Sequence, residues 1–150
     1  MEILIHPNEA LRVVCTPVET VTMKLREQLE EMRELMYEKK AYGVSAPQVG
    51  LTERVLVMNS EANPRSTECE LILINPVIER RRGGITREME GCLSVPHEFG
   101  MVRRAAKVHV TAWQLNGVRF VGSLTGMAAR VIQHEIDHLD GILFIDKMED

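Results

Sequence analysis

Two strand-like stretches joined by Asn116-Gly117 are the strongest local structural signal in the chain. Residues 108–115 and 118–121 are rich in β-branched and aromatic side chains, which favour strands. Asparagine followed by glycine supplies the positive φ angles of a type I′ turn, and this turn connects antiparallel neighbours. The sequence therefore predicts a β-hairpin, and with it an antiparallel sheet, in the second half of the chain.

A surface helix is predicted ahead of the strands. Leu25, Leu29 and Met32 lie at helical spacing on one face, and the opposite face carries Arg, Glu and Lys side chains. Thr20 or Thr22 can cap the first turn, and the helix should run to about residue 37. We therefore expect one face of this helix to be buried and the other to be solvated.

Short apolar runs and glycines divide the middle of the chain. The apolar runs 55–58 and 71–77 predict strands. Residues 43–50, which have a glycine at each end and a proline between, are interpreted as a loop. Residues 80–84 are three arginines followed by two glycines, and they are interpreted as a solvated turn.

A second helix is predicted from residue 123 or 124 to Leu139, with Gly141 just beyond its end. It contains the HExxH pattern His134-Glu135-Ile136-Asp137-His138. Histidines four residues apart lie one above the other on a helix, so both can reach one metal ion. The glutamate between them is offset sideways, where it can handle a proton of water but cannot align as a ligand. A helix surface that carries two histidines without a metal remains the alternative on this pattern alone.

The order of elements indicates the fold class. Helix, several strands, then helix, without regular strand–helix alternation, predicts an α+β fold. Mostly antiparallel β-sheets should pack around a central C-terminal HExxH helix, with the N-terminal helix on the surface. A length of 150 residues, with 45% hydrophobic residues, predicts a single domain over residues 1–150. The net charge of −4 argues against direct binding to nucleic acid or to an anionic membrane.

The cysteines and the N-terminus indicate the compartment. The first seven residues have acidic Glu2 and no basic leader region, so no secretory signal is expected. No segment has the apolar length needed to cross a bilayer. Three cysteines are an odd number and do not form a disulfide framework. We therefore expect a cytoplasmic protein.

A catalytic metal held by two histidines needs a third protein ligand, with one position left open for water. The twelve residues after His138 contain no further histidine, so this ligand is expected upstream. Candidates are Cys92, His97, His109 and the many carboxylates. Cys92 has a setting that the other cysteines lack, because Gly91 before it permits close backbone approach.

Three segments resemble the three signature motifs of the peptide deformylase family. Residues 43–50, GVSAPQVG, resemble the first motif, residues 90–94, EGCLS, the second, and residues 133–139, QHEIDHL, the third. Their order and spacing also match, and Ala41 and Ser45 depart from the family's usual first motif. The resemblance, to a short member with a minimal C-terminus, implies removal of the N-formyl group from new polypeptides that begin with formyl-methionine.

The resemblance also implies a role for each site residue. Cys92, His134 and His138 would bind the metal, and a water activated by the metal would attack the formyl carbon, with Glu135 as general acid–base. The other implied roles are oxyanion stabilisation by the Gln48 amide and the Leu93 backbone N–H, substrate binding by Gly43, Gly91, Met127 and Val131, and bracing of the cysteine segment by a Glu90–Arg104 ion pair.

The implied cofactor is one divalent metal ion, iron(II) in the cell, with zinc, nickel or cobalt as alternatives in prepared protein. The implied partners are formyl-methionyl nascent peptides, and the chain is expected to be a monomer. Many bacterial members contact the ribosome through a C-terminal helix, but this chain stops nine residues after Gly141. Ribosome contact therefore remains possible, but contact by that route is not expected. Phe99 stands near the position where many bacterial members have a substrate-contacting arginine.

Two other functions remain open at this level. A metallopeptidase that cleaves internal peptide bonds would share the HExxH pattern, although a cysteine ligand and the missing downstream ligand argue against it. A deformylase fold retained for binding would have lost a residue of the site, and none of the implied residues is missing.

Overall fold

The computed structural model describes all residues from 1 to 150. One antiparallel sheet of five strands, in the order β1-β2-β3-β4-β5, packs against two helices. The elements are α1 Met23–Glu38, β1 Gly43–Ser45, β2 Val55–Asn59, β3 Glu70–Cys92, β4 Val95–Trp113, β5 Arg119–Thr125 and α2 Gly126–Leu139. The predicted α+β class is confirmed, with one sheet in place of several.

The N-terminal helix α1 lies on the surface with one apolar face against the sheet. Thr22 caps it by accepting a hydrogen bond of 3.1 Å from the Leu25 N–H. Leu25, Leu29 and Met32 are buried at its inner face, together with Leu35 and Met36. The helical period and the cap predicted for this segment are confirmed, because both depend on residues within a few positions of each other.

The predicted hairpin is confirmed as β4 and β5, but its predicted turn type is wrong. Gly117 has a φ of +79°, whereas Asn116 is not among the residues with positive φ. The Asn116 Oδ1 instead accepts a hydrogen bond of 2.9 Å from the Val118 N–H. Gln114 N–H donates to the Val118 carbonyl at 3.0 Å, so the connection is a three-residue loop that ends in a left-handed glycine.

The predicted solvated turn at residues 80–84 is also wrong. These residues lie inside β3, which continues far beyond the predicted strand 71–77 and pairs with β4. Arg82 lies opposite Lys107, and the register shifts before Ile85. Gly83 and Gly84, both at a φ of +76°, form a bulge at this shift, so the glycines bend a strand and do not end it.

The predicted loop at residues 43–50 contains two short elements. Gly43–Ser45 forms the edge strand β1 because it pairs with β2, with Gly43 opposite Met58. A single 3-10 turn, Ala46–Val49, follows and ends at Gly50, which has a φ of +81°. This segment lies beside α2 and delivers Gln48 to the candidate site.

Helix α2 crosses the centre of the molecule and carries the HExxH pattern. It begins at Gly126, slightly later than predicted, because residues 123 and 124 still pair in β5. Its predicted end is confirmed, since Gly141 has a φ of +73° and donates to the His138 carbonyl at 3.1 Å. No helix in the structure is long and apolar enough to cross a membrane.

Candidate metal centre

The cysteine of the β3–β4 turn and both HExxH histidines converge on one point. The Sγ of Cys92 lies 3.3 Å from the Nε2 of His138, which lies 3.2 Å from the Nε2 of His134. All three ligand atoms lie within 4.8 Å of one another. The other candidates for a third ligand, His97 and His109, are not part of this cluster.

These three donors fit a divalent metal ion. Bond lengths of about 2.0 Å to nitrogen and about 2.3 Å to sulfur put ligand atoms roughly 3.3–3.6 Å apart around a tetrahedral ion. The two short separations are close to this range. Two imidazole nitrogens and one sulfur also suit zinc or a first-row transition metal, and the set leaves a fourth position open.

A buried carboxylate orients the first histidine. The Oε1 of Glu90 lies 2.9 Å from the Nδ1 of His134, so the histidine's other nitrogen points at Cys92 and His138. Arg104 holds Glu90 from the other side with two hydrogen bonds of 2.9 Å. Burial acts to raise the pKa of Glu90, but the bonds to Arg104 and His134 outweigh it and hold that pKa well below its usual range.

The ionic network is larger than the predicted Glu90–Arg104 pair. Arg130 also donates to Glu90, at 2.5 Å, and Asp137 accepts from Arg104 at 2.6 Å. Lys147 reaches Asp137 at 2.9 Å. Arg130 and Asp137 lie in α2 and are buried, and neither was predicted as a site residue. Their spacing of seven residues, two helical turns, was the one available signal that they share a face.

The carboxylate of Glu135 is buried beside His134, 4.0 Å from its Nε2. Its Oε2 has no hydrogen-bond partner in the chain. Burial raises the pKa of Glu135 to about 7, against the opposing charge of His134. A carboxyl group with a pKa near neutrality can both accept and return a proton.

Gly43 makes room for Glu135. A Cβ at Gly43 would lie 2.9 Å from the Cγ and 3.0 Å from the carboxyl carbon of Glu135. No real Cβ contact is that short, so a side chain there would displace the carboxylate. The sequence predicted a substrate-binding role for Gly43 and missed this close contact, which arises only when β1 and α2 pack together.

The amide of Gln48 is held in one orientation. Its Oε1 accepts from the Ser45 N–H at 3.0 Å and from the Ser45 hydroxyl at 3.1 Å. Its Nε2 therefore faces the cysteine turn, 3.5 Å from the Sγ of Cys92 and 3.2 Å from the Ser94 hydroxyl. Ser45, a departure from the family motif, thus fixes which end of the amide points into the site.

A cavity of about 470 Å³ opens beside the three donors. Val131 is buried in its wall and Met127 is 45% exposed at its mouth. Phe99 is 69% exposed and covers Gly91, where a Cβ would lie 2.6 Å from its ring. The structure also brings other predicted residues to this cavity, namely Gly43, Gln48, Glu90, Gly91, Cys92, Leu93, His134 and Glu135.

The two remaining cysteines are not part of the site. Cys15 is buried in the core, and burial raises the pKa of its thiol to about 11. Cys69 ends a short 3-10 turn before β3. Neither belongs to the group of converging donors.

Comparison with known proteins gives consistent matches. A family model described as polypeptide deformylase matches residues 1–150. The chain is 40% identical over 150 residues to the chloroplastic peptide deformylase 1B of Solanum lycopersicum, covering 100% of this chain and 53% of that protein. It therefore spans about half the length of that relative. A peptide deformylase of Neisseria meningitidis is 40% identical over 151 residues, with 99% of this chain and 86% of that protein covered.

Two solved structures are similar over nearly the whole chain. Peptide deformylase 1B of Arabidopsis thaliana, in complex with an inhibitor, has a TM-score of 0.94 and 37% identity, covering 100% of this chain and 82% of that chain. The peptide deformylase of Thermotoga maritima has a TM-score of 0.91 and 34% identity, covering 99% of this chain and 97% of that chain.

Proposed function

The chain belongs to the polypeptide deformylase family, and we propose that it removes the N-formyl group from the N-terminal formyl-methionine of newly made polypeptides. The family is metal-dependent. The observation that carries the proposal is the convergence of Cys92, His134 and His138 beside the buried carboxylate of Glu135. The products would be formate and a free amino terminus.

Cys92, His134 and His138 would hold one divalent metal ion, which we propose to be iron(II) in the cell. Zinc, nickel or cobalt would occupy the same donors in prepared protein. When bound, such an ion lowers the pKa of water towards neutrality and polarises a carbonyl group.

Glu135 would move the proton. Its carboxylate lies beside His134 and has one oxygen without a partner in the chain, so it is free to accept a proton from the attacking water. The same carboxyl group would return that proton to the departing amine, which completes hydrolysis of the formyl amide. Burial acts to raise the pKa of this carboxyl group towards neutrality, which favours both steps near neutral pH.

Two donors would stabilise the oxyanion that forms on the formyl group. The Gln48 Nε2 is aimed at the site by Ser45. The backbone N–H of Leu93 makes no hydrogen bond to another backbone group. Donors already in place are effective because they need no reorganisation as charge develops.

Substrate binding would use the cavity and its two glycine edges. Met127 and Val131 form an apolar wall suited to the methionine side chain. Gly43 and Gly91 line the cavity from β1 and β3, where backbone groups are available for strand-like pairing with a peptide. We also propose a cytoplasmic monomer, and the absence of any disulfide among its cysteines supports a reducing compartment.

The test is an anaerobic preparation in which metal content and deformylation are measured together. We expect about one metal ion per chain and release of formate from formyl-Met-Ala-Ser, with no cleavage of acetyl-Met-Ala-Ser. Cleavage of internal bonds in the acetylated peptide would instead support a metallopeptidase. A metal-loaded protein without activity on either peptide would support a binding role.

A further inference from the structure

The outer face of β3, β4 and β5 carries cations in adjacent rows. Arg80 lies opposite His109 and Arg82 opposite Lys107 in the β3–β4 register, with Ser123 opposite His109 on β5. Directly opposed residues of an antiparallel pair lie on the same face of the sheet. We call Arg80, Arg82, Lys107, His109 and Ser123 the cationic face.

No acidic side chain forms an ion pair with this face, although Glu79 lies beside it. Arg80, Arg82 and Lys107 form none of the ion pairs in the structure, although the chain has 22 acidic residues. The nearby Glu79 accepts a hydrogen bond of 2.8 Å from Thr111. Like charges directly opposite each other in a sheet are destabilising. The arrangement therefore costs stability in the free protein, and an anionic ligand would offset that cost.

The five residues of the cationic face line a hollow of about 260 Å³, and no apolar side chain contributes to it. Arg82 also lines a second hollow with Arg81, but there Asp137 is present and Arg103 pairs with Glu149, so the unpaired charge is concentrated in the first hollow. We propose that this face binds the phosphate backbone of single-stranded RNA, separately from the catalytic cavity.

The repeat of the cations favours a strand of phosphates over a single anion. Residues two apart on a strand are separated by roughly 6.6–6.8 Å, so Arg80 and Arg82 present two charges in line. The Ser123 hydroxyl beside them suits hydrogen bonds to phosphate or sugar oxygens. Two rows beyond, Trp113 is 44% exposed with the Arg119 guanidinium 5.4 Å from its ring, which offers a surface for base stacking.

A membrane surface fits these residues less well. Binding to lipid headgroups uses large apolar side chains that insert beside the cations. The exposed apolar residues in the row next to the cations, Val77 and Val121, are short, and the ring of Trp113 in the following row has the Arg119 guanidinium over it. The mild net charge of −4, which argued against nucleic acid, averages over the chain and hides this local concentration.

The catalytic cavity shares no residue with the cationic face. Loss of RNA binding should therefore leave deformylation of a short peptide unchanged. RNA binding is measured without turnover, so the test of RNA binding does not depend on whether the proposed deformylase activity is correct.

The experiment uses metal-loaded protein and a fluorescein-labelled 12-nucleotide poly(U) RNA, with anisotropy measured from 50 to 200 mM salt. The test variant is the triple substitution Arg80→Gln, Arg82→Gln and Lys107→Gln. We expect at least a tenfold loss of affinity, and a salt slope smaller by about 2, since each phosphate contact contributes roughly 0.7 for single strands. Its melting temperature should be equal or higher, because like-charge repulsion is removed.

The matched control is the triple substitution Lys24→Gln, Lys39→Gln and Arg65→Gln, which changes net charge equally at exposed positions elsewhere. It should bind RNA within about twofold of the parent protein. Equal losses in both triple variants, or no binding to RNA at 50 mM salt, would overturn the proposal. Binding to vesicles of anionic phospholipid without binding to RNA would overturn it in favour of a membrane surface.

Discussion

At the scale of single residues, two residues of β1 determine how larger side chains of the site are placed. Ser45 donates hydrogen bonds to the side-chain oxygen of Gln48, so the amide nitrogen of Gln48 faces Cys92. Gly43 leaves the space that the Glu135 carboxylate fills. Each is a small residue that determines the position of a larger neighbour.

Replacement of Glu135 by Gln tests the proton-transfer role. The variant should keep its metal, because the glutamate is not one of the converging donors. Turnover of formyl-Met-Ala-Ser should fall by about 10²-fold or more, since the amide cannot accept a proton. Metal content and kcat are measured together, with Glu98→Gln, an exposed position on β4, as the control. Near-normal kcat in Glu135→Gln would contradict the role.

Replacement of Cys92 by Ala tests the ligand set. Two imidazoles alone should bind metal poorly, so the variant should lose most of its metal and its activity. Cys69→Ala is the control, because its thiol lies outside the donor group. Parent protein handled in air should also lose activity, since an iron(II)–thiolate site is open to oxidation. One full equivalent of metal with full activity in Cys92→Ala would show that the third ligand is another residue.

At the scale of elements, α2 serves the site with more than one face. His134 and His138 face the cysteine turn, Val131 faces the cavity, and Arg130 and Asp137 face the ionic network. Because nearly the whole helix is buried, any displacement of it would move the donors, the cavity wall and the network together. The geometry of the site is therefore as rigid as the packing of this helix.

A bulky residue in the cavity wall tests the methionine pocket. Val131→Trp should fill space next to His134, so KM for formyl-Met peptides should rise while metal content stays the same. Val118→Trp, at an exposed position in the hairpin loop, is the control. Melting temperatures of both variants separate local filling from general overpacking. Unchanged KM in folded Val131→Trp would place the pocket elsewhere.

Substitution of two glycines with positive φ tests how rigidly the backbone is held at the end of α2. Gly141 and Gly117 have φ values of +73° and +79°. Gly117→Ala should lower the free energy of unfolding by about 1 kcal/mol, from backbone strain alone. Gly141→Ala should cost about 2–4 kcal/mol, because its Cβ would also lie 2.7 Å from the Arg12 carbonyl oxygen. Urea denaturation measures both, and equal losses would mean that the Arg12 contact relaxes freely.

At the scale of the whole molecule, the network around Glu90 joins parts that are distant in sequence. Glu90 lies near the end of β3, Arg104 lies in β4, Arg130 and Asp137 lie in α2, and Lys147 is near the C-terminus. Buried charges are tolerated only when they are paired, so removal of one member leaves others uncompensated. The position of the site therefore depends on the packing of all these segments, because the network connects them.

The pH dependence of stability tests this network in metal-free protein. The folded-state pKa of Glu90 lies well below the usual value of 4.5. Its stabilising contribution is therefore fully present above about pH 4.5 and is lost as the pH falls towards the folded-state pKa. Urea midpoints of the parent should fall between pH 6 and pH 3.5 more steeply than those of Glu90→Gln. At pH 6, Glu90→Gln should itself cost about 3–5 kcal/mol.

Glu98→Gln provides the control for that measurement. Its side chain lies on β4, is exposed and forms no ion pair. It should lose little stability at either pH, because exposed charges without a buried partner contribute little. Parallel pH profiles for the parent and for Glu90→Gln would show that another group causes the acid loss.

Features that depend on neighbours within one helical turn were predictable from the sequence. The spacing of His134 and His138, the Thr22 cap and the left-handed Gly141 were all predicted and lie as expected. These features are set by backbone hydrogen bonds and side-chain directions within about four residues. The motif residues of the site were named on the same local patterns and on the family resemblance.

Features that depend on pairing between distant segments were not predictable. Arg82 was predicted to lie in a turn, but it lies in a strand because it pairs with Lys107 of β4. Gly43 was predicted to lie in a loop, but it lies in a strand because it pairs with Met58. The buried contact between Arg130 and Glu90 likewise forms only when β3 packs against α2. These three contacts join residues 15 or more positions apart, and they form only when the packed fold compensates the loss of entropy and solvation.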